Sequence, residues 1–209
     1  MKKLFYTLAG LFLFASCAFN SDFYFDDDYS GKVVNQIDIS GLIAFAGDES
    51  DSLELGIQEG INEKRDSLVD AFNQKEGISN ADVYYRDGVM AFEYEFEDLE
   101  SLNAFGSAVG EADENLNGFM LSQGSFSMKD GVFEFVESPD TDEMLQDTSF
   151  TKMLQFMELT NTFHFEDKVK STSNSDYIIS EDGRSVSSTQ KGEEITNPEK
   201  GFGTKVEFK

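Results

Sequence analysis

The chain carries one histidine and one cysteine in 209 residues, so acid–base, thiol and metal chemistry have few places to sit. His164 lies in "TFHFED", where strand alternation puts Phe163 and Phe165 on one face and His164 on the other with Thr162 and Glu166. A general base there would be oriented by Glu166 or Asp167. No Gly-x-Ser-x-Gly elbow or other nucleophile motif accompanies it, and an outward-facing strand histidine is the simpler expectation. The stretch "DENLNG" matches the first half of a Ca2+ loop, with oxygen ligands at Asp113, Asn115 and Asn117 and a turn glycine at Gly118. Its twelfth position is Gly124 where a bidentate glutamate belongs, so a polar loop is expected, with Ca2+ kept as the one candidate cofactor. A second acidic cluster, "GDESDSLE" from Gly47 to Glu54, offers the same oxygen chemistry but also makes an ordinary helix start. Carboxylates are so abundant that no pair suited to glycoside hydrolysis stands out.

Cys17 closes a different pattern. Lys2 and Lys3 are followed by an apolar run from Leu4 to Ala15, too short for a bilayer core and ending in small residues. That is the architecture of a secretory signal. The ending Phe14-Ala15-Ser16-Cys17 resembles the lipobox of bacterial lipoproteins, with Phe14 where leucine is usual. The resemblance implies that residues 1–16 are removed and that Cys17 carries acyl chains. At about 0.8 kcal/mol per buried CH₂, two or more chains hold a protein on a membrane durably. A lipidated Cys17 leaves the chain without a thiol, which excludes disulfides, zinc–thiolate sites and cysteine nucleophiles.

With 41 acidic and 16 basic residues the formal net charge is −25, and loss of Lys2 and Lys3 makes it more negative. Such a surface repels phosphate backbones and anionic headgroups, so no nucleic-acid partner is expected and membrane contact should come through the lipid. Cations and basic partners are compatible with it. Residues 17–32 carry the acidic, aromatic stretch "AFNSDFYFDDDYSGK" after the cysteine, and the expectation is a tether. Its Asp26-Asp27-Asp28 run looks like the surface-export signal of Bacteroidota lipoproteins, placed farther from the cysteine. Residues 33–209, with two prolines and no Gly/Ser linker, are expected to form a single domain.

Within that domain the period of apolar residues predicts the elements. Val33 to Ala46 reads as a strand interrupted at Gly41. Leu53, Ile57, Ile61, Leu68 and Phe72 make one stripe of a helix opened by an Asp51/Glu54 capping box and closed by Gly77. "ADVYYRDGVMAFEYEF" and "SFSMKDGVFEFVE" read as hairpins turning on Asp87-Gly88 and Asp130-Gly131. After the first, Asp98 caps a helix burying Leu99, Leu102, Phe105 and Val109. A third helix is expected with Phe150, Met153, Leu154 and Met157 on one side. Hairpins interleaved with helices predict an α+β fold, an antiparallel sheet built of hairpins with about three helices packed on one face.

The tail "DKVKSTSNSDYIISEDGRSVSSTQ" is similar to the closing segment of the LppM-like family of envelope lipoproteins, through Val169, Ser171, Asn174, Asp182 and Gly183. The chain has Ser188 where members often have tryptophan. The resemblance implies an α+β envelope domain with lipid or glycolipid contact and no catalytic residues. The functional expectation is a lipid-anchored cell-envelope lipoprotein, a non-enzymatic binding or scaffolding domain. Its partners would be the membrane, through the lipid, and an envelope protein, lipid or glycan. The outer membrane is favoured over the inner, facing periplasm or cell surface. The alternatives are a carboxylate-based hydrolase of glycans and a calcium-stabilised adhesion module.

Overall fold

The computed structural model describes residues 17–112, 124–137, 157–195, 197 and 200–209. The expected signal peptide, the Asp113–Gly118 loop and residues 150–156 of the expected third helix lie outside these.

The chain enters the described fold as a strand. β1 (Cys17–Phe25) points Cys17, Phe19, Ser21, Phe23 and Phe25 to one face, with Phe23 and Phe25 buried. It pairs antiparallel with β2 (Gly31–Asp38) and parallel with β7 (Met157–Phe165). The expected tether is thus a central strand. Its alternation outweighs its acidic content, because Asp22 belongs to the outward set.

β2 ends at Asp38, whose Oδ1 accepts the Ser40 N–H at 2.9 Å while the Ile39 N–H donates to Gly88 O. This turns the chain into a short helix, α1 (Ser40–Ala46), where a strand interrupted at Gly41 was expected. α2 (Ser50–Asn73) follows a 3-10 turn. It opens one residue before Asp51 without a side-chain cap, so the capping box does not form, and it ends before Gly77. Only Phe72 of its apolar stripe is fully buried.

β3 (Ile78–Arg86) and β4 (Val89–Phe96) form the first expected hairpin. Asp87 and Gly88 have φ of 52° and 81°, as a type I′ turn demands of both residues. α3 (Leu99–Ala112) is capped by Asp98, whose Oδ1 accepts the Ser101 N–H at 2.7 Å, and it buries Leu102 and Phe105. The second hairpin is β5 (Gly124–Lys129) and β6 (Val132–Glu137). Met157, expected on a helix, opens strand β7. β8 (Val169–Thr172), β9 (Ile178–Ile179), β10 (Ser185–Lys191) and β11 (Thr204–Phe208) complete the described strands.

The strands make two sheets, where a single one was expected. The larger runs β3-β4-β2-β1-β7-β10-β9 and the smaller β5-β6-β11-β8, antiparallel throughout except for β1 and β7. Both sheets bury phenylalanines against each other. Phe23 lies 5.1 Å from Phe126, Phe25 lies 5.0 Å from Phe133, and Phe163 lies 5.3 Å from Phe135, centroid to centroid. On the β3–β4 side the same inner face meets the helices, through Phe72 with Phe92 at 4.5 Å and Phe105 with Tyr94 at 4.6 Å. Each such side chain is worth about 1.5–3 kcal/mol of burial. The fold is α+β with two long helices and one short one among the described residues. The other face of the large sheet carries Asp22, Lys32, Glu93, Glu95 and His164 among smaller apolar residues such as Val34 and Ala91.

Candidate functional site

Strand register fixes what the polar face presents. At the end of the sheet opposite Cys17, one row runs Ser185, His164, Tyr24, Lys32, Glu95 and Ser79 across β10, β7, β1, β2, β4 and β3. His164 Nε2 lies 2.9 Å from Asp22 Oδ1, and the Tyr24 ring stacks on the imidazole at 4.2 Å and 5°. Asp22, on the same strand as Tyr24, therefore orients His164, and His164 in turn backs the tyrosine ring.

Tyr24 is 42% exposed, one of the few large apolar side chains left open to solvent among the described residues. Partial burial, reinforced by Asp22 and offset in part by Lys32, pushes its hydroxyl pKa up. The phenol stays protonated and keeps its hydrogen-bond donor. The ring stands at the wall of a groove of about 630 Å³, together with Asp26, Lys32, Glu95, Phe96 and Glu97.

Local geometry holds this wall in place. The turn between β1 and β2 closes with the Asp26 N–H donating to Ser30 O and the Tyr29 N–H to Asp26 O, both at 2.9 Å. Ser30 donates its N–H and Oγ–H to Asp28, which holds that carboxyl below its usual range. Gly31 must be glycine, since a Cβ there would sit 1.8 Å from the Tyr24 carbonyl oxygen.

The charges in the groove are unbalanced. Lys32 is paired with Glu93 at 3.0 Å, and Glu95 accepts a hydrogen bond from Asn80 Nδ2 at 2.6 Å. Among the described residues no ion pair reaches Asp26, Glu95 or Glu97. A neighbouring loop adds to the negative field, where Asp27 raises the pKa of the Glu166 carboxyl. A second groove of about 380 Å³ on the small sheet differs in this respect. Its Lys205 pairs with Glu134 at 3.0 Å, and its Glu207 pairs with Lys170 at 2.9 Å.

Of the residues singled out in the sequence, His164 faces outward as expected, but its acidic partner is Asp22 and neither Glu166 nor Asp167. Asp113, Asn115 and Asn117 lie outside the described residues, and Gly124 begins β5. The Gly47–Glu54 cluster makes the 3-10 turn and first helical turn. Among the described residues no group of three or more His, Cys, Asp or Glu side chains is placed to hold a metal ion. Cys17 is a half-buried free thiol, its pKa raised by burial and then by Asp38. Among the described residues no helix is long and apolar enough to cross a membrane.

No protein-family model matches the chain, and no curated protein matches it. Among solved structures it is similar to the folded domain of LppM from Mycobacterium tuberculosis, determined by NMR. Identity is 16% over 91% of this chain and 87% of that one, with a TM-score of 0.41. At this identity and score the likeness says nothing of ligand or activity.

Proposed function

We propose that the chain is a lipid-anchored cell-envelope lipoprotein whose α+β domain acts as a non-enzymatic binding or scaffolding module. One observation carries the reading: β1 has the lipobox cysteine as its first residue and brings Tyr24 to the groove near its other end. A nine-residue strand spans roughly 30 Å at about 3.3 Å per residue. Acyl chains on Cys17 would hold one end of the large sheet at the membrane and present the groove at the other. The strand leaves no spacer between anchor and domain, which supports a module held at a set height. The outer membrane is the favoured location.

The carboxylates Asp26, Glu95 and Glu97 around one groove favour a second reading, a hydrolase working by paired carboxylates. It needs one of them to act as a general acid and a second, facing it across the scissile bond, as nucleophile or base.

The test is fractionation of cells expressing the wild type or Cys17→Ser, with metabolic labelling by a radioactive fatty acid. The wild type should be labelled and recovered with membranes, and the variant unlabelled and released. A variant that stays in the membrane fraction sinks the anchor. Turnover of glycans that is lost in Glu95→Gln or Glu97→Gln would replace the binding reading with the hydrolase.

A further inference from the structure

The groove is built around an aromatic ring whose position is fixed from behind. Asp22 bonds His164, His164 stacks on Tyr24, and the tyrosine as a residue is still 42% exposed. A tyrosine that served packing would turn its ring inward, as Tyr94 and Tyr177 do. This one is immobilised at the wall of a cleft. An aromatic face carries negative quadrupole charge at its centre, so a cation over it is attracted, and more strongly when water is partly excluded.

The groove's formal charges point the same way. Three carboxylates that have no ion pair among the described residues, Asp26, Glu95 and Glu97, share it with one lysine, Lys32, which pairs with Glu93. Phosphates, anionic lipid headgroups and acidic glycans meet repulsion there, and the chain's overall charge of −25 adds to it. In the second groove Glu134 and Glu207 are each paired with a lysine of the protein itself.

We propose that the Tyr24 groove binds an arginine or lysine side chain of a basic protein segment, with the cation between the open side of the ring and the carboxylates that line the same groove. Arginine fits better than lysine, because a planar guanidinium stacks on the ring and offers a fork of donors to Glu95 and Glu97 together. The inference deepens the binding reading given above and rests on it.

The experiment uses the mature chain from residue 17 with Cys17→Ser to keep it in solution. A blocked tetra-arginine peptide is titrated at 0.15 M salt and followed by amide chemical shifts, with the citrulline peptide as its uncharged twin. The expected result is a saturable shift confined to residues around Tyr24, Lys32, Glu95 and Glu97, and no binding of the citrulline peptide. Tyr24→Leu, which changes no charge, should weaken binding at least tenfold, as should Glu95→Gln with Glu97→Gln. Glu59→Gln with Glu63→Gln on the exposed side of α2 removes the same charge elsewhere and should leave affinity within twofold.

Shifts spread over the whole acidic surface, or equal losses for both charge-matched double variants, would show non-specific attraction and overturn the proposal. Equal groove binding by the citrulline peptide would overturn the cation while leaving a binding groove. A groove that responds to neither peptide but shifts with neutral oligosaccharides would do the same, and response to none of these would count against the groove as a site. Amide spectra of each free variant establish that it is folded.

Discussion

Asn161 on β7 and Ser188 on β10 are direct cross-strand partners on the inner face of the large sheet, each 2% exposed, and the Asn161 Nδ2 and Ser188 Oγ atoms have no hydrogen-bond partner among the described residues. The same row continues through Ser21 and Asn35, whose side chains bond to each other at 2.7 Å. A polar belt thus crosses a face otherwise filled by Phe23, Phe163, Leu159 and Val186.

Burying a hydroxyl without a partner costs about 1–3 kcal/mol, so Ser188→Ala should stabilise the domain. A gain of about 1 kcal/mol would raise Tm by roughly 2–4 °C in a chain of this size. Thermal unfolding of the two proteins side by side checks it; a fall in Tm would mean that Ser188 has a bound water or other partner.

Phe163 is fully buried and touches Phe23 of its own sheet, Phe126, Phe133 and Phe135 of the other, and Tyr177. Phe163→Ala should cost about 3–5 kcal/mol, because the void opens between two sheets that cannot both close on it. Urea melts would show a lowered midpoint; a loss under about 1 kcal/mol would mean the sheets are not held by this cluster.

His164→Ala removes a part-buried hydrogen bond and a stacked ring, for a loss of about 1–2 kcal/mol. Its larger effect should be on Tyr24. Tyrosine fluorescence of a Tyr24-only reporter would become more readily quenched by acrylamide in the variant. Unchanged quenching would show that the ring does not depend on the imidazole.

Glu137 is largely buried, and its Oε2 accepts the Phe202 N–H at 2.8 Å. Burial raises its pKa, partly offset by that bond. The folded state then holds the proton more tightly than the unfolded state, so this contribution is present below the ordinary glutamate value of about 4.3 and is lost as pH rises through the folded pKa. Glu137→Gln keeps an acceptor and has nothing to ionise. Its Tm relative to wild type should rise between about pH 4 and pH 7, staying within about 1 kcal/mol of wild type. A pH-independent difference would contradict the burial argument.

What was legible in the sequence was local. Asp-Gly dipeptides place two turns because they tolerate positive φ, Asp98 marks a helix start, and Phe163 and Phe165 share a buried face. The period-2 set Cys17, Phe19, Ser21, Phe23 and Phe25 also stood in the open, but Asp26-Asp27-Asp28 directed the reading toward a solvated tether. The alternation from Val33 to Ile39 carries the strand expectation on past Gly41 into "GLIAFA", and the turn made at Asp38 and Gly88 ends it there instead. Asp22 as the partner of His164, and the division into two sheets, depend on register between distant strands, which no spacing along the chain encodes. Tyr24 had one visible signal, an aromatic residue on the polar parity of its strand.

The parallel pairing of β1 with β7 bears on the order in which the molecule can assemble. Cys17 to Phe25 leave the ribosome long before Met157 to Phe165, yet the pairing along one edge of the strand waits for those residues. Closing so long a loop is slow and entropically costly. The central strand therefore stays unfinished through most of synthesis, the condition a translocation channel requires of a chain that it threads unfolded. If the cysteine is acylated during export, the modifying enzymes meet it on an open segment, before the sheet has formed around it.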